Sequence, residues 1–386
     1  MYYIIGAFFC SLLLSAVFLP NILFISYKKS LFDKPDVRKL HTSPVPRLGG
    51  VSFFPVIFIV MMGSTIIRYL LGGMTLDADD YLVFVQFGAF CIGGMLLYLI
   101  GVTDDLVGVG YKTKFATQLL SGCLLVLSGL WINSLGGIRV LDSLPGIIGV
   151  PLTVFLCVYI TNAINLIDGI DGLASGLSVI ALTTMGLLFV SGGELSYAIL
   201  AFSGVGCLVP FFRMNVRRSP GNRKKLFMGD TGSLTLGYLL SFLFLNLCVN
   251  SSTFQPLESR YQYIAFGALI IPLFDVVRVV LVRLRLRLPP FLPDRNHIHH
   301  KLMRSGMTST QVMVFLLLLS VFFIVCNYLL TAYLYGSIVF FIDLGIWFVF
   351  HGILNFIIKR RMAERTTNGV KVHAKAITNV NYETIK

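Results

Sequence analysis

Asp104 and Asp105 stand side by side in the stretch GVTDDLVGVGYKTK, with Lys112 and Lys114 a few residues on. Adjacent carboxylates repel, so they persist best where a divalent cation or a phosphate-bound proton uses them. A solvated helix end followed by surface lysines is the plainer alternative. A second stretch, NAINLIDGIDGLASG, sets Asn162, Asn165, Asp168 and Asp171 three residues apart. On a helix that interval aligns amides and acids on one face. Gly169 and Gly172 then loosen the backbone, which suits the close approach of a ligand or a helix break. Turns also favour Asn, Asp and Gly, but two DG pairs behind two asparagines are more ordered than a turn requires.

Three further clusters are basic. RMNVRRSPGNRKKLFMGDTGSL ends in Phe227, Asp230, Thr231, Gly232 and Ser233 at the mouth of an apolar run. Small residues there leave backbone N–H groups free at a helix start, a seat for phosphate, while Asp230 can hold a hard cation such as Mg²⁺. Phe227 could stack on a base or simply pack. Arg217, Arg218, Arg223, Lys224 and Lys225 read most simply as charge at a membrane surface. RLPPFLPDRNHIHHKL offers His297, His299 and His300 beside Arg295 and Lys301. Imidazoles serve as metal ligands or as cationic donors; no loop cysteine is there to complete a zinc site, so phosphate is preferred. Asp275 and Arg278 sit three apart, the spacing of a self-contained ion pair. DKPDVRKLHTSPVPRLGG contributes Arg38, Lys39, His41 and Arg47 in a proline-constrained setting suited to lining a site.

The elements that must position these residues are membrane helices. The chain has 386 residues, of which 56% are hydrophobic and 13% charged, against roughly a quarter charged in soluble domains. Runs of about 20 apolar residues suffice to cross a bilayer. Eleven occur, near 3–26, 50–71, 82–100, 115–132, 147–163, 172–190, 195–212, 232–250, 262–282, 311–334 and 336–358. The first lacks a preceding positive charge and is followed by Lys28 and Lys29, so it is no cleavable signal and its N-terminus is expected outside. On that threading 28 of the 31 Lys and Arg face the cytoplasm, and only Arg68, Arg139 and Arg260 lie outside. This asymmetry fixes orientation and accounts for the net charge of +13 through anionic membrane lipid, without nucleic acid. All seven cysteines fall in apolar runs and read as small core residues. The expectation is an all-α, multi-pass protein of about eleven transmembrane helices, with the C-terminus cytoplasmic. Residues 1–361 would form one transmembrane domain, followed by a flexible polar tail at 362–386. Every organised polar cluster then lies on the cytoplasmic side.

DD at 104–105, NAINLIDGIDGL at 162–173, FMGDTGSL at 227–234 and PFLPDRNHIHH at 290–300 together resemble the polyprenyl-phosphate N-acetylhexosamine 1-phosphate transferase family, over about residues 33–302. The resemblance implies an inner-membrane enzyme whose active site faces the cytoplasm. It would move a sugar 1-phosphate from a UDP-sugar to undecaprenyl phosphate, releasing UMP and beginning a surface glycan. Mg²⁺, with Mn²⁺ as an alternative, is the implied cofactor. By motif position Asp104, Asp105 and Asp168 would be catalytic, Asp104 lying beside the lipid phosphate. Asp230, Asn165 and Asp105 would hold the metal. Asn165, Asp168, Asp171 and Phe227 would take the nucleotide. Lys114, Arg47, Arg295, His297, His299 and His300 would steady phosphates.

The HIHH form is similar to the branch that takes UDP-GlcNAc; the muramoyl-pentapeptide branch usually carries a different histidine motif and a run of lysines in the first loop. That branch is the alternative within the family, and which of Arg38, Lys39 or His41 replaces its nucleotide-contacting lysine stays open. A homodimer is also compatible with the family. Outside it, a transporter would place its acids near the bilayer midplane, and CDP-alcohol transferases need further aspartates where Asp171, Gly172, Leu173 and Ala174 run into an apolar stretch.

Overall fold

The computed structural model describes residues 1–33, 45–72, 78–134, 143–216, 225–249, 260–287, 289 and 296–383, with backbone alone at 32–33, 78–80, 362 and 364–383. In chain order the helices are α1 (Tyr2–Lys28), α2 (Phe53–Leu70), α3 (Ala78–Val107), α4 (Tyr111–Leu127), α5 (Gly146–Ile167) and α6 (Leu173–Ser191). They continue with α7 (Leu195–Asn215), α8 (Gly229–Cys248), α9 (Tyr261–Arg285), the short α10 (Ile298–Arg304), α11 (Ser309–Leu330) and α12 (Gly336–Glu383). A two-residue antiparallel ladder, β1 (Phe32–Asp33) with β2 (Val45–Pro46), pairs Phe32 with Pro46, and a 3-10 turn at Leu48–Ser52 leads into α2.

The architecture is all-α because a spanning segment must satisfy its backbone hydrogen bonds internally. Each of the eleven apolar runs falls on one helix. Among the described residues ten helices are long and apolar enough to cross a membrane. The remaining one, α4, is 17 residues long. His297, His299 and His300, expected in the connection between the runs near 262–282 and 311–334, instead begin a helix of their own, α10.

α8 is the central post. It is less apolar than its neighbours, yet its whole spanning window is buried, whereas α1 buries 22% of its own. Burial on every side marks a helix surrounded by others rather than by lipid. Small residues let its neighbours close in, as in membrane interfaces generally. A Cβ on Gly237 would come within 2.6 Å of the Thr161 backbone on α5, and one on Gly101 of α3 within 2.5 Å of Thr231 Cα. Phe90 of α3 stacks on Tyr238 and Phe242, with ring centroids 5.5 and 4.7 Å apart. α3, α5 and α8 thus form one packed unit, and their polar ends meet at one end of the bundle.

Candidate active site

The N-terminus of α8 is held by a residue far away in sequence. Asp105, at the end of α3, accepts from the backbone N–H of Asp230 (2.9 Å) and Thr231 (3.0 Å) and from the Thr231 hydroxyl (2.6 Å). First-turn N–H groups lack helical partners, and a carboxylate there also meets the positive end of the helix dipole. The chain enters α8 through Gly229 at φ +72°, where a Cβ would lie 2.3 Å from the Arg47 carbonyl oxygen. Upstream, FMG runs against the VPRLGG segment. Phe227 N–H donates to Pro46 O (2.8 Å), Gly49 N–H to Phe227 O (2.9 Å) and Gly50 N–H to Met228 O (2.8 Å).

This frame presents Asp230 to three other side chains. Lys114 of α4 donates to Asp230 at 2.7 Å and to Asp104 of α3 at 3.2 Å, so one ammonium joins two carboxylates. Asn165 of α5 donates its amide to Asp230 (3.2 Å) and to the Ser233 hydroxyl (2.8 Å). Asp104 also accepts from Val109 N–H at 2.6 Å, which closes the turn after α3. Four helices therefore converge through partly buried charged groups, which interact more strongly there than in open water.

The amides and acids expected on one helical face divide between a helix and a turn. α5 ends at Ile167, so Asn162 and Asn165 are helical, Asp168 is the C-cap, and Asp171 lies in the turn before α6. Asn162 exchanges hydrogen bonds with Gln118 of α4 (2.7 and 3.2 Å). Burial pushes the Asp168 carboxyl up to about 7, helped by the negative charges of Asp230, Asp171 and Asp105 and opposed by Arg47. Asp171 pairs with Lys225 at 2.7 Å, and the same ammonium lies 5.1 Å from the Phe227 ring centroid. Gly172 turns the chain at φ +77°, and its N–H donates to Asn215 Oδ1 (2.6 Å). The Asn215 amide donates in turn to Leu226 O (3.0 Å), tying the Asp168–Asp171 turn to the strip that carries Phe227.

α10 closes this side. Asp275, buried in α9, accepts from Ile298 N–H (2.9 Å) and Arg278 (2.7 Å), and lies 2.9 Å from His297 Nδ1. Arg278 also reaches the Asn296 carbonyl. His299 packs on the Gly169 backbone, where a Cβ would lie 2.3 Å from its Nε2. Neither His299 ring nitrogen has a hydrogen-bond partner among the described residues. Burial, with His300 and His297 nearby, pushes its pKa down to about 3, so near neutral pH His299 is an uncharged donor and acceptor rather than a cation.

The structure thus brings together Asp104, Asp105, Lys114, Asn165, Asp168, Asp171, Phe227, Asp230 and His299, with the Arg47 charge acting on Asp168. Arg38, Lys39, His41 and Arg295 lie outside the described residues. Asp105, expected on a metal, gives its oxygens to α8, and Asp275 and Arg278 hold α10 rather than only each other. Gln118 and Asn215 do not stand out in the sequence, and Lys225 reads there as surface charge; Thr231 and Ser233, expected at a phosphate seat, instead bond Asp105 and Asn165. The interhelical partners of these residues are not visible in local spacing.

Among the described residues no group of three or more His, Cys, Asp or Glu side chains is gathered as a metal cage. Mg²⁺ does not need one, since it commonly takes one or two carboxylates plus substrate phosphates and waters. Asp104 and Asp230 are oxygen donors of that kind, and both already face one positive charge, that of Lys114. The donor set fits a hard divalent cation.

A family model described as "Glycosyl transferase family 4" matches residues 87–248. An "Undecaprenyl-phosphate alpha-N-acetylglucosaminyl 1-phosphate transferase" of Yersinia pestis is 31% identical over 297 residues, 76% of this chain and 75% of that protein. A "Probable undecaprenyl-phosphate N-acetylglucosaminyl 1-phosphate transferase" of Bacillus subtilis is 34% identical over 306 residues, 79% of this chain and 78% of its own. An Escherichia coli K12 protein with the same name as that of Yersinia is 33% identical over 313 residues, 79% of each chain.

Proposed function

Because the chain belongs to glycosyl transferase family 4, we propose that it transfers N-acetylglucosamine 1-phosphate from a UDP-sugar to undecaprenyl phosphate, releasing UMP. This is the first membrane step of a surface glycan, carried out at the cytoplasmic face of the inner membrane by a chain of eleven spans with its N-terminus outside. The names of the relatives support the substrates. The observation that carries the site is the convergence of Asp104, Lys114, Asn165 and Asp230 from four helices. The Lys and Arg asymmetry supports the orientation.

An oxygen of the acceptor phosphate attacks the β-phosphorus of the UDP-sugar, and the bond from that phosphorus to the oxygen bridging it to the α-phosphate breaks. The α-phosphate leaves as UMP. A phosphate monoester is largely dianionic near neutral pH, so no base is required to create the nucleophile. The residues' task is to bring several negative charges together and offset their repulsion. Mg²⁺, bound by Asp104 and Asp230 with Asn165 beside them, would supply charge neutralisation; Mn²⁺ suits the same donors. Lys114 sits between the acids and donates to the phosphate oxygens that develop charge. Asp105 positions the N-terminus of α8 and through it Asp230. Asp168, Asp171 and Phe227 line the nucleotide side, with His299 over the Gly169 backbone as a neutral hydrogen-bonding group.

Purified protein supplied with Mg²⁺, UDP-GlcNAc and undecaprenyl phosphate should yield UMP and lipid-linked GlcNAc pyrophosphate, and chelation should stop it. A competent preparation that gives neither product with any UDP-HexNAc donor would sink the proposal.

A further inference from the structure

The cytoplasmic end of α12 and the corner joining α10 to α11 flank an open cleft of about 560 Å³. Its apolar wall is Met307, Phe356 and Ile357, and its polar side is Ser305, Arg360 and Arg361. Arg361 donates to the Ser305 carbonyl, so its guanidinium is held at the corner by the C-terminus of α10, where a cation is favoured. Further donors of that planar group stay available.

Next to the cleft several basic side chains stand close together, Lys301 and Arg304 on α10 and Arg360 and Arg361 on α12. Lys301, one turn before Ser305 on α10, is in no ion pair among the described residues, and its partner is His351 Nδ1 at 3.4 Å. Burial, with Arg278 beside it, pulls the Lys301 pKa down to about 8. His351, on the inward face of α12, is more than nine-tenths buried, and its Nε2 has no hydrogen-bond partner among the described residues. The acid acting on both groups is Asp275, already engaged by Arg278, His297 and Ile298 N–H. Arginines at the end of a span are ordinarily plain surface charge. Here they rim a cleft with an apolar wall, beside a half-buried lysine and a buried imidazole whose Nε2 has no hydrogen-bond partner among the described residues.

We infer that this cleft binds the phosphate headgroup of an anionic bilayer phospholipid, with Arg360 and Arg361 on the phosphate and the first chain carbons against Met307, Phe356 and Ile357. The apolar wall favours a lipid over free phosphate, and the cleft lies where the apolar span Gly336–Arg361 ends. The site is separate from the Asp104–Asp230 cluster and does not depend on the transfer reaction. It sits at the far end of α10 from His297, so occupancy would stiffen the helix that carries His299.

The test is native mass spectrometry of the full-length protein titrated with phosphatidylglycerol. The variants are Arg360→Gln/Arg361→Gln and the control Lys28→Gln/Lys29→Gln, which removes the same charge from the exposed end of α1. Each basic residue near an anionic lipid contributes enough that removing two weakens retention about thirtyfold. Wild type and control should retain one lipid at concentrations where the arginine variant retains none, and phosphatidylcholine should not substitute. Thermal melts without added lipid establish that each variant is folded. Equal loss in the control, or retention by the arginine variant, would mean diffuse surface charge and overturn the site. Stabilisation by inorganic phosphate alone, matching that by phosphatidylglycerol, would overturn the lipid as occupant.

Discussion

Lys114 bridges Asp104 and Asp230, and that single ammonium explains how two acids stand together at a partly buried position. Replacing Asp230 with Asn keeps the shape and removes the charge, and turnover should fall by two to three orders of magnitude. A UMP-release assay on folded protein checks this, and near-normal turnover would remove Asp230 from the centre. Asp168 gives a prediction in stability. Its folded-state pKa, about 7, lies above the unfolded value of about 3.9. The cost to the fold is therefore absent below about pH 4, grows as pH rises from there towards 7 while only the unfolded carboxyl ionises, and is complete above about 7. Asp168→Asn should raise stability at pH 8 by on the order of 2 kcal/mol and leave it unchanged near pH 4. Melts of both proteins at the two pH values, without substrate, decide it; a gain at pH 4 as large as at pH 8 would contradict the assignment. The residue types were legible in the sequence, since acids, amides and histidines stand out against an apolar background. Their pairing was not, because Lys114 and Asp230 are 116 positions apart and no local spacing records which helices are neighbours.

At the scale of elements, the site depends on how closely α3 and α5 approach α8. A Cβ on Gly101 would press on the Thr231 backbone and move the first turn of α8, which carries Asp230. A displacement of about 1 Å at a reacting centre can cost a hundredfold, so Gly101→Ala should lower kcat sharply while the protein still inserts and purifies. Unchanged kcat would show that the first turn of α8 tolerates the shift. Asn215→Ala should act differently. It unties the Asp168–Asp171 turn from the Phe227 strip, so the KM for the UDP-sugar should rise more than kcat falls, as steady-state kinetics with the donor varied would show. The runs that became helices were legible from hydropathy, α4 included. α10 was not, since seven residues carry too little periodicity, and its start is held by Asp275 from α9.

For the whole molecule, the proposed orientation rests on the Lys and Arg asymmetry and can be tested directly. Ser305→Cys should react with an impermeant thiol reagent only from the cytoplasmic side and Leu71→Cys only from the opposite side; the reverse pattern would invert the topology. The arrangement around α8 was not legible, because that helix is less apolar than neighbours that face lipid, and hydropathy ranks lipid exposure rather than centrality. Its encasement bears on how the protein responds to its solvent. α8 is 20 residues, about 30 Å, and its spanning window is wholly buried, while α1 and α12 leave most of theirs outside. A thicker or thinner bilayer therefore acts first on the tilt of those rim helices. The post that carries Asp230 is insulated from such adjustment, so one catalytic geometry can persist in membranes of different thickness.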